Sequence, residues 1–259
     1  MASSSETDIT HRRWLVVGTV LNRVLMPCLR MKIQQEMTLF YQNLVAKFGI
    51  DKQIYRSHQK TFPTSAIRLN YESINHNAAS FRDPRYYDYR VQNEVSLAKL
   101  FLKSYMAHFD AFDSSFDASA ALAVLCCAPP FTSAKLAAER VRSEVRNEWA
   151  HCDDASWTDV KYSTCFDLMK TLVKDLGFAP ADEKRLLGKL QLWREHGKIP
   201  IPIFWSYSIQ RWTIYASACG SQEWTIEFVE IYVPSVLWWR FSLCANIQIM
   251  KIGLFKEKN

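Results

Sequence analysis

Residues 141–152 read V-R-S-E-V-R-N-E-W-A-H-C, and they hold the chain's clearest candidate for chemistry. Val141, Val145 and Trp149 recur at every fourth position. Because an α-helix turns about 100° per residue, these side chains form one apolar stripe. The stripe is predicted to face a core, and the polar residues of the same helix are then left for another role.

The polar residues of this helix are predicted to lie away from the stripe. With Val145 at zero, Asn147 falls at about 200° and His151 at about 240° around a regular helix. Arg146 falls at about 100°, which leaves it about 140° from His151. We therefore expect a second copy of the chain to bring an Arg and a His together. The predicted dimer face comprises Arg140, Ser143, Glu144 and Asn147.

The spacing Arg146-Asn147-x-x-x-His151 resembles the motif of the HEPN superfamily, an Arg, a polar residue, three free positions and a His. The run from Ala121 through Pro130 to Leu176 is similar to the HEPN domain of the DAZ-interacting zinc-finger ubiquitin ligase type. The resemblance covers residues 10–197 and is strongest over residues 117–178. It implies an all-α fold, a HEPN-like helical bundle.

The resemblance also implies a reaction, because many catalytic HEPN proteins are endoribonucleases that need no metal. Arg146, Asn147 and His151 are then the catalytic residues. His151 would move a proton at the 2′-hydroxyl or the leaving oxygen, and Arg146 would stabilise charge on the phosphate. Asn147 would orient the imidazole or the phosphate. Products would carry 2′,3′-cyclic phosphate ends, with no metal site and no cofactor.

Three functions fit this motif. The first is an RNA-binding HEPN domain that cleaves RNA as a dimer, with single-stranded RNA and a second copy as partners. The second is a non-catalytic interaction module in a larger defence or signalling assembly of proteins. The third is a scaffold that binds small nucleotides. A plainer interpretation leaves Arg146 on a solvated face and His151 at a helix end, where a cation is favoured. No P-loop, dinucleotide-binding motif or paired carboxylates favour another enzyme class.

A second basic stretch lies upstream, where residues 82–90 read R-D-P-R-Y-Y-D-Y-R. Arginines bind phosphate and tyrosines stack on single-stranded bases. This combination makes the stretch a candidate RNA contact; alternatively, its tyrosines pack on the helical bundle. The candidate RNA-binding residues are Arg82, Arg85, Tyr86, Tyr87, Tyr89 and Arg90.

Apolar spacing predicts a series of helices separated by one long connection at residues 50–90. Residues 1–9 are predicted to be disordered. Pro27 is expected to kink or split the first helix, and Ser156 and Asp159 have the form of a capping box. The predicted helices are residues 10–47, 91–109, 118–128, 133–152, a helix from about 157 to 176, and 182–196.

The composition of the 259-residue chain is that of a soluble globular protein, with 49% hydrophobic and 22% charged residues. Its net charge of +6 is compatible with an anionic partner. The seven cysteines include no C-x-x-C pair, which favours reduced thiols. Residues 1–9 lack the pattern of a secretory signal. We therefore expect an intracellular, cytoplasmic location.

Composition changes at residues 198–259, which hold five of the nine tryptophans and form an aromatic-rich extension. The extension is predicted to be a β-hairpin or a disordered segment. Trp224, Ile226 and Phe228 alternate, and a turn at Gly220 and Ser221 would pair them with residues 211–217. Membrane insertion is not expected, because the best window, residues 231–250, has Arg240 at its centre at a cost of about 2.5–3.5 kcal/mol.

Overall fold

The computed structural model describes residues 4–54, 69–78, 84–151, 153–196, 226–231 and 238–243. The chain divides into two compact units, Met1–Pro200 and Ile201–Asn259. The first unit is mostly helical, as expected of an all-α fold.

Eight α-helices and two π-helical segments occur in the described part of the first unit, joined by short 3-10 turns. The α-helices are α1 (Ser4–Thr19), α2 (Met26–Phe48), α3 (Glu94–Lys99), α4 (Ala118–Cys127), α5 (Lys135–Arg140), α6 (Glu148–Ala150), α7 (Asp159–Asp175) and α8 (Pro180–His196). The π-helical segments are Val20–Leu25, between α1 and α2, and Val141–Asn147, between α5 and α6.

The first helix starts earlier than predicted and passes Pro27 without breaking. It begins at Ser4, inside the segment predicted to be disordered, and the sequence has Glu6 there, a residue type that favours a helix N-terminus. Pro27 has no backbone N–H to give to the preceding turn. The π-helical turn absorbs this defect, since the Met26 N–H bonds five residues back to the Leu21 carbonyl.

The helix predicted at residues 91–109 is much shorter in the structure, where α3 spans Glu94–Lys99. Asn93 begins it by accepting a hydrogen bond from the Ser96 N–H. Beyond it, three successive residues, Leu100–Leu102, are all buried. Three consecutive side chains do not fit on one face of an α-helix, so the chain turns there and reaches the core as a loop.

Side chains cap the N-termini of helices α4 and α7. Asp117 caps α4, and its carboxylate accepts a hydrogen bond from the Ala120 N–H at 2.8 Å. The cap of α7 is Thr158, which accepts from the Lys161 N–H at 3.3 Å. The expected capping box at Ser156 is therefore wrong, because Ser156 lies in a separate 3-10 turn.

The core of the first unit joins the N-terminal helix α1 to the motif helix, which comprises α5, the second π-helical segment and α6 together. Helix α1 packs against α7, α2 against α4, and the second π-helical segment against α4 and α7. The predicted stripe lies in this core: Val141 and Val145 are fully buried, and Trp149 packs against the core while partly exposed. Leu168 and Leu172 of α7 are buried as well.

The second unit contains an antiparallel pair of strands, β1 (Ile226–Ile231) and β2 (Trp238–Leu243). Ile226 lies opposite Leu243, and Ile231 lies opposite Trp238. The partner predicted for residues 224–228 was residues 211–217, and both that segment and the turn at Gly220 lie outside the described residues.

Candidate nucleic-acid interface

A polar cleft of about 480 Å³ opens beside the second π-helical segment. One wall is formed by that segment and the other by the chain between α3 and α4. Arg146 and Asn147, two of the three predicted catalytic residues, face this cleft together. The lining residues are Tyr105, Met106, His108, Ser115, Asp117, Ser119, Arg142, Arg146 and Asn147.

The π-helical form of Val141–Asn147 accounts for the shared direction of three polar side chains. A π-helix bonds residues five apart and turns less per residue than an α-helix, so residues at this spacing lie much closer to one face than on a regular α-helix. Arg142 and Asn147 are five apart, and Arg146 lies beside them. The guanidinium of Arg146 donates a hydrogen bond to the Asn147 side-chain oxygen at 3.0 Å. The two motif residues therefore form one unit at the cleft wall.

This geometry corrects the premise of a regular helix. On a regular α-helix Arg142 and Asn147 would be about 140° apart, yet both line the same cleft. The angle calculated between Arg146 and His151 assumed that regularity throughout, so it does not support the expectation of a dimer. The expectation of a dimer therefore depends on the position of His151.

His151 is exposed at the end of α6 and is not among the residues that line the cleft. Its backbone N–H donates to the Asn147 carbonyl at 3.1 Å, which closes the last turn of the helix. Glu148 lies on the same turn, and its pKa is lowered, first by the hydrogen bond from Lys161 and in smaller part by His151. The described geometry thus brings together Arg146 and Asn147 but leaves His151 outside.

His108, which lies near the end of the helix predicted at residues 91–109, lines the cleft with Arg146 and Asn147. Ala107 and Phe109 on either side are buried, whereas His108 is exposed. Phe109 packs on Phe116 with 4.6 Å between ring centroids. In the sequence this alternation reads as the apolar–polar–apolar run Ala107-His108-Phe109, a signal that could have separated His108 from a regular helix.

The cleft carries more positive than negative charge. Arg142 and Arg146 form no ion pair among the described residues. Asp117 is the single acidic residue in the lining, and one of its oxygens is already bonded to the Ala120 N–H at the start of α4. Two arginines against one capping carboxylate make the cleft suited to an anion.

In the candidate RNA contact at residues 82–90, some side chains are exposed and others pack against the protein. Arg85 and Tyr86 are exposed in a 3-10 turn. Tyr87 and Tyr89 pack against the core, with the Tyr89 ring 4.7 Å from that of Tyr71. Arg90 binds the carboxylate of Asp88 at 2.7 Å.

Neither Arg85 nor any other candidate of this stretch lines the cleft, and Arg82 lies outside the described residues. A role in RNA contact therefore stays a prediction for this stretch. Arg85 and Tyr86 are exposed side chains of this stretch.

The predicted dimer face contains one ion pair of its own. Arg140 donates to both oxygens of Glu144, at 2.8 and 3.2 Å, and this contact lowers the pKa of the Glu144 carboxyl. Ser143 is exposed and donates to the Glu139 carbonyl. Asn147 belongs to the cleft wall, so this face borders the cleft.

The described cysteines are unpaired, and burial raises the pKa of their thiols. For Cys165 the pKa reaches about 12. Within the described ranges, no group of three or more His, Cys, Asp or Glu side chains is placed to hold a metal ion.

One helical stretch of the described chain, Ile9–Phe48, is long and apolar enough to cross a membrane by length and composition. In its most apolar window, 44% of the residues are buried inside the protein. A core helix of a soluble protein and a signal sequence near the N-terminus pass the same test.

No protein-family model, curated protein or solved structure matches this chain.

Proposed function

We propose that this chain is an RNA-binding domain of HEPN type and a metal-independent endoribonuclease. The observation that carries the proposal is the pairing of Arg146 and Asn147. These consecutive motif residues are bonded to each other at 3.0 Å and line one polar cleft. An arginine with a bonded amide beside it presents a fixed set of donors to a phosphate, as stabilisation of a pentacoordinate phosphate requires.

Arg142 adds a second guanidinium to the same wall, so the cleft is suited to a chain of phosphates. RNA provides such a chain together with a 2′-hydroxyl, which is the nucleophile of metal-independent cleavage. In this mechanism the 2′-oxygen attacks phosphorus and the bond to the 5′-oxygen breaks. The products carry 2′,3′-cyclic phosphate and 5′-hydroxyl ends, and water does not act as the nucleophile.

His151 completes the site from a second copy of the chain. It lies outside the cleft of its own chain, exposed at the end of α6 and seven residues after Glu144 of the predicted dimer face. A two-fold pair formed through this face places the motif helices of two copies side by side. Each cleft then receives a histidine from its partner.

Mixing two inactive variants tests this shared site. Arg146→Ala and His151→Ala should each be inactive alone. In a mixed dimer one of the two sites keeps both wild-type residues, so mixing equal amounts should restore about a quarter of the wild-type rate. Failure of the mixture to regain activity, with the two variants shown to form mixed dimers, would place Arg146 and His151 in the same chain's site.

Arg146→Lys provides the matched substitution within the site. It keeps the positive charge but loses the planar fork, so RNA affinity should fall much less than the cleavage rate. Equal losses in both would mean that Arg146 contributes only to binding.

The alternative function is a non-catalytic interaction module in a defence or signalling assembly. The observation that favours it is the position of His151 outside the cleft, since docking or dimerisation requires no histidine at the phosphate. A chain that binds RNA or forms dimers and leaves RNA intact would support it.

A further inference from the structure

We propose that His108 is a second proton-transfer residue of this site and acts as its general base. The inference rests on the proposed function, because it names a residue for the same RNA cleavage. It starts from the cleft, where His108 is the histidine that faces Arg142, Arg146 and Asn147 within one chain.

RNA transesterification needs two proton transfers. The 2′-hydroxyl loses its proton as its oxygen bonds to phosphorus, and the 5′-oxygen gains a proton as its bond to phosphorus breaks. A single histidine per site leaves one transfer to solvent. The cleft supplies an imidazole of its own, and His151 of a second copy supplies another. His108 takes the 2′-proton and His151 protonates the 5′-oxygen.

The segment that carries His108 is firmly held, as a proton-transfer group requires. A 3-10 turn precedes it, closed by the bond from the Met106 N–H to the Lys103 carbonyl at 2.9 Å. After it, Phe109 enters a cluster with Phe112 and Phe116. The end of this cluster is tied to α2, because the Arg30 guanidinium donates to the Phe116 carbonyl at 2.9 Å.

The cleft also has a surface for the base that flanks the reacting phosphate. Tyr105 lies at the cleft with 65% of its surface exposed. An exposed tyrosine ring next to two arginines provides a stacking surface beside a phosphate site. With the phosphate on Arg142 and Arg146 and a base on Tyr105, the ribose between them passes along the wall that carries His108.

Asp117 is the other group in the lining that is able to accept a proton. One of its oxygens caps α4 through the Ala120 N–H, and an Asn side chain performs the same capping. Asp117→Asn therefore removes the carboxylate as a base while keeping the helix start. Comparing this variant with His108→Ala therefore distinguishes the two candidate bases while the cleft stays folded.

The test measures single-turnover cleavage of a short RNA in EDTA by the full chain and its variants. His108→Ala should lower the rate by a factor of about 10²–10⁴ and leave RNA affinity within a few-fold of wild type. His76→Asn is the matched control: His76 is exposed, lies outside the cleft lining and has a φ of 56°, which Asn tolerates. It should cleave at the wild-type rate. Asp117→Asn should lose much less activity than His108→Ala, since it removes only the other candidate base.

A second substrate assigns the direction of proton transfer. An RNA with sulfur in place of the bridging 5′-oxygen has a leaving group that needs no proton. It should restore the rate of His151→Ala and leave His108→Ala slow. Rescue of His108→Ala instead would overturn the assignment of His108 as the base.

The outcomes separate this inference from the proposed function. A wild-type chain that cleaves while His108→Ala cleaves equally fast overturns the inference alone. Loss of cleavage in Asp117→Asn with full activity in His108→Ala makes Asp117 the base. A wild-type chain that binds RNA but does not cleave it overturns the inference and the ribonuclease function together.

Discussion

The indole N–H of Trp14 donates a hydrogen bond to the carbonyl oxygen of Trp149 over 2.9 Å. The two rings stack with 6.2 Å between their centroids and 21° between their planes. Trp149 follows Arg146 and Asn147 within one helical turn. The N-terminal helix α1 therefore fixes the end of the motif helix, and the cleft wall depends on a contact across 135 residues of sequence.

Replacing Trp149 should destabilise the whole first unit. Trp149→Ala removes the stacked ring and leaves a cavity beside α1, and we expect a loss of about 3 kcal/mol in the free energy of unfolding, near the lower end for Trp because the side chain is partly exposed. Trp14→Phe keeps a ring but loses the N–H donor and should cost about 1 kcal/mol. Chemical denaturation of both variants measures these values, and parental stability of Trp149→Ala would refute the packing.

A pair of glycine substitutions should change stability in opposite directions. A Cβ added to Gly18 would lie 2.1 Å from the Trp149 indole nitrogen, so Gly18→Ala forces the ring to move and should cost about 1–3 kcal/mol. Gly188 lies in α8 with no atom near the position of an added Cβ. Gly188→Ala should therefore stabilise by about 0.5–1 kcal/mol through helix propensity. Thermal unfolding compares the two, and stabilisation by Gly18→Ala would show that Trp149 lies elsewhere.

The helical class of the first unit could be predicted from apolar spacing, and so could the burial of Val141 and Val145. Both features depend on local apolar periodicity, which can be read directly from the sequence. The π-helical segment could not be predicted in this way, because its spacing near Arg142 and Asn147 is equally compatible with a regular helix. The wider turn packs against α4 and α7, and contacts between helices cannot be read from the local spacing of one segment.

The cleft was half predictable from sequence. Arg146 and Asn147 follow from the motif, whereas His108 and Tyr105 reach the cleft only because the predicted helix at residues 91–109 ends after Lys99. The burial of Leu100–Leu102 decides that ending. Because the apolar spacing of residues 91–106 also fits a helix, it did not indicate that the helix ends after Lys99.

Arg142 should contribute to RNA affinity although it lies outside the motif. Arg142→Ala removes one charge from the cleft and should reduce the slope of log affinity against log salt by about 0.7 for single-stranded RNA. Lys135→Ala is the matched control, since Lys135 is exposed on α5 and does not line the cleft. Binding titrations at several salt concentrations give both slopes. A larger change in the Lys135 variant would place the RNA on another face.

Cys165 should be inert towards alkylation in the folded chain. Burial raises the pKa of its thiol from an ordinary value of 9.0 to about 12. Because the folded state holds this proton more tightly, the resulting stability is present below pH 9.0 and is lost as the pH rises towards about 12. Site-resolved mass spectrometry after iodoacetamide treatment at pH 8 should find Cys165 modified only with denaturant. Equal modification in the folded chain would show that α7 is misplaced.

The most direct test of the ribonuclease function is the chemistry of the RNA ends produced in EDTA. Mass spectrometry of an oligonucleotide treated with the full chain should find 2′,3′-cyclic phosphate and 5′-hydroxyl ends. His151→Ala should slow their formation by about 10²–10⁴ while RNA binding persists. Cleavage that requires magnesium, or that His151→Ala leaves undiminished, would contradict the proposed mechanism.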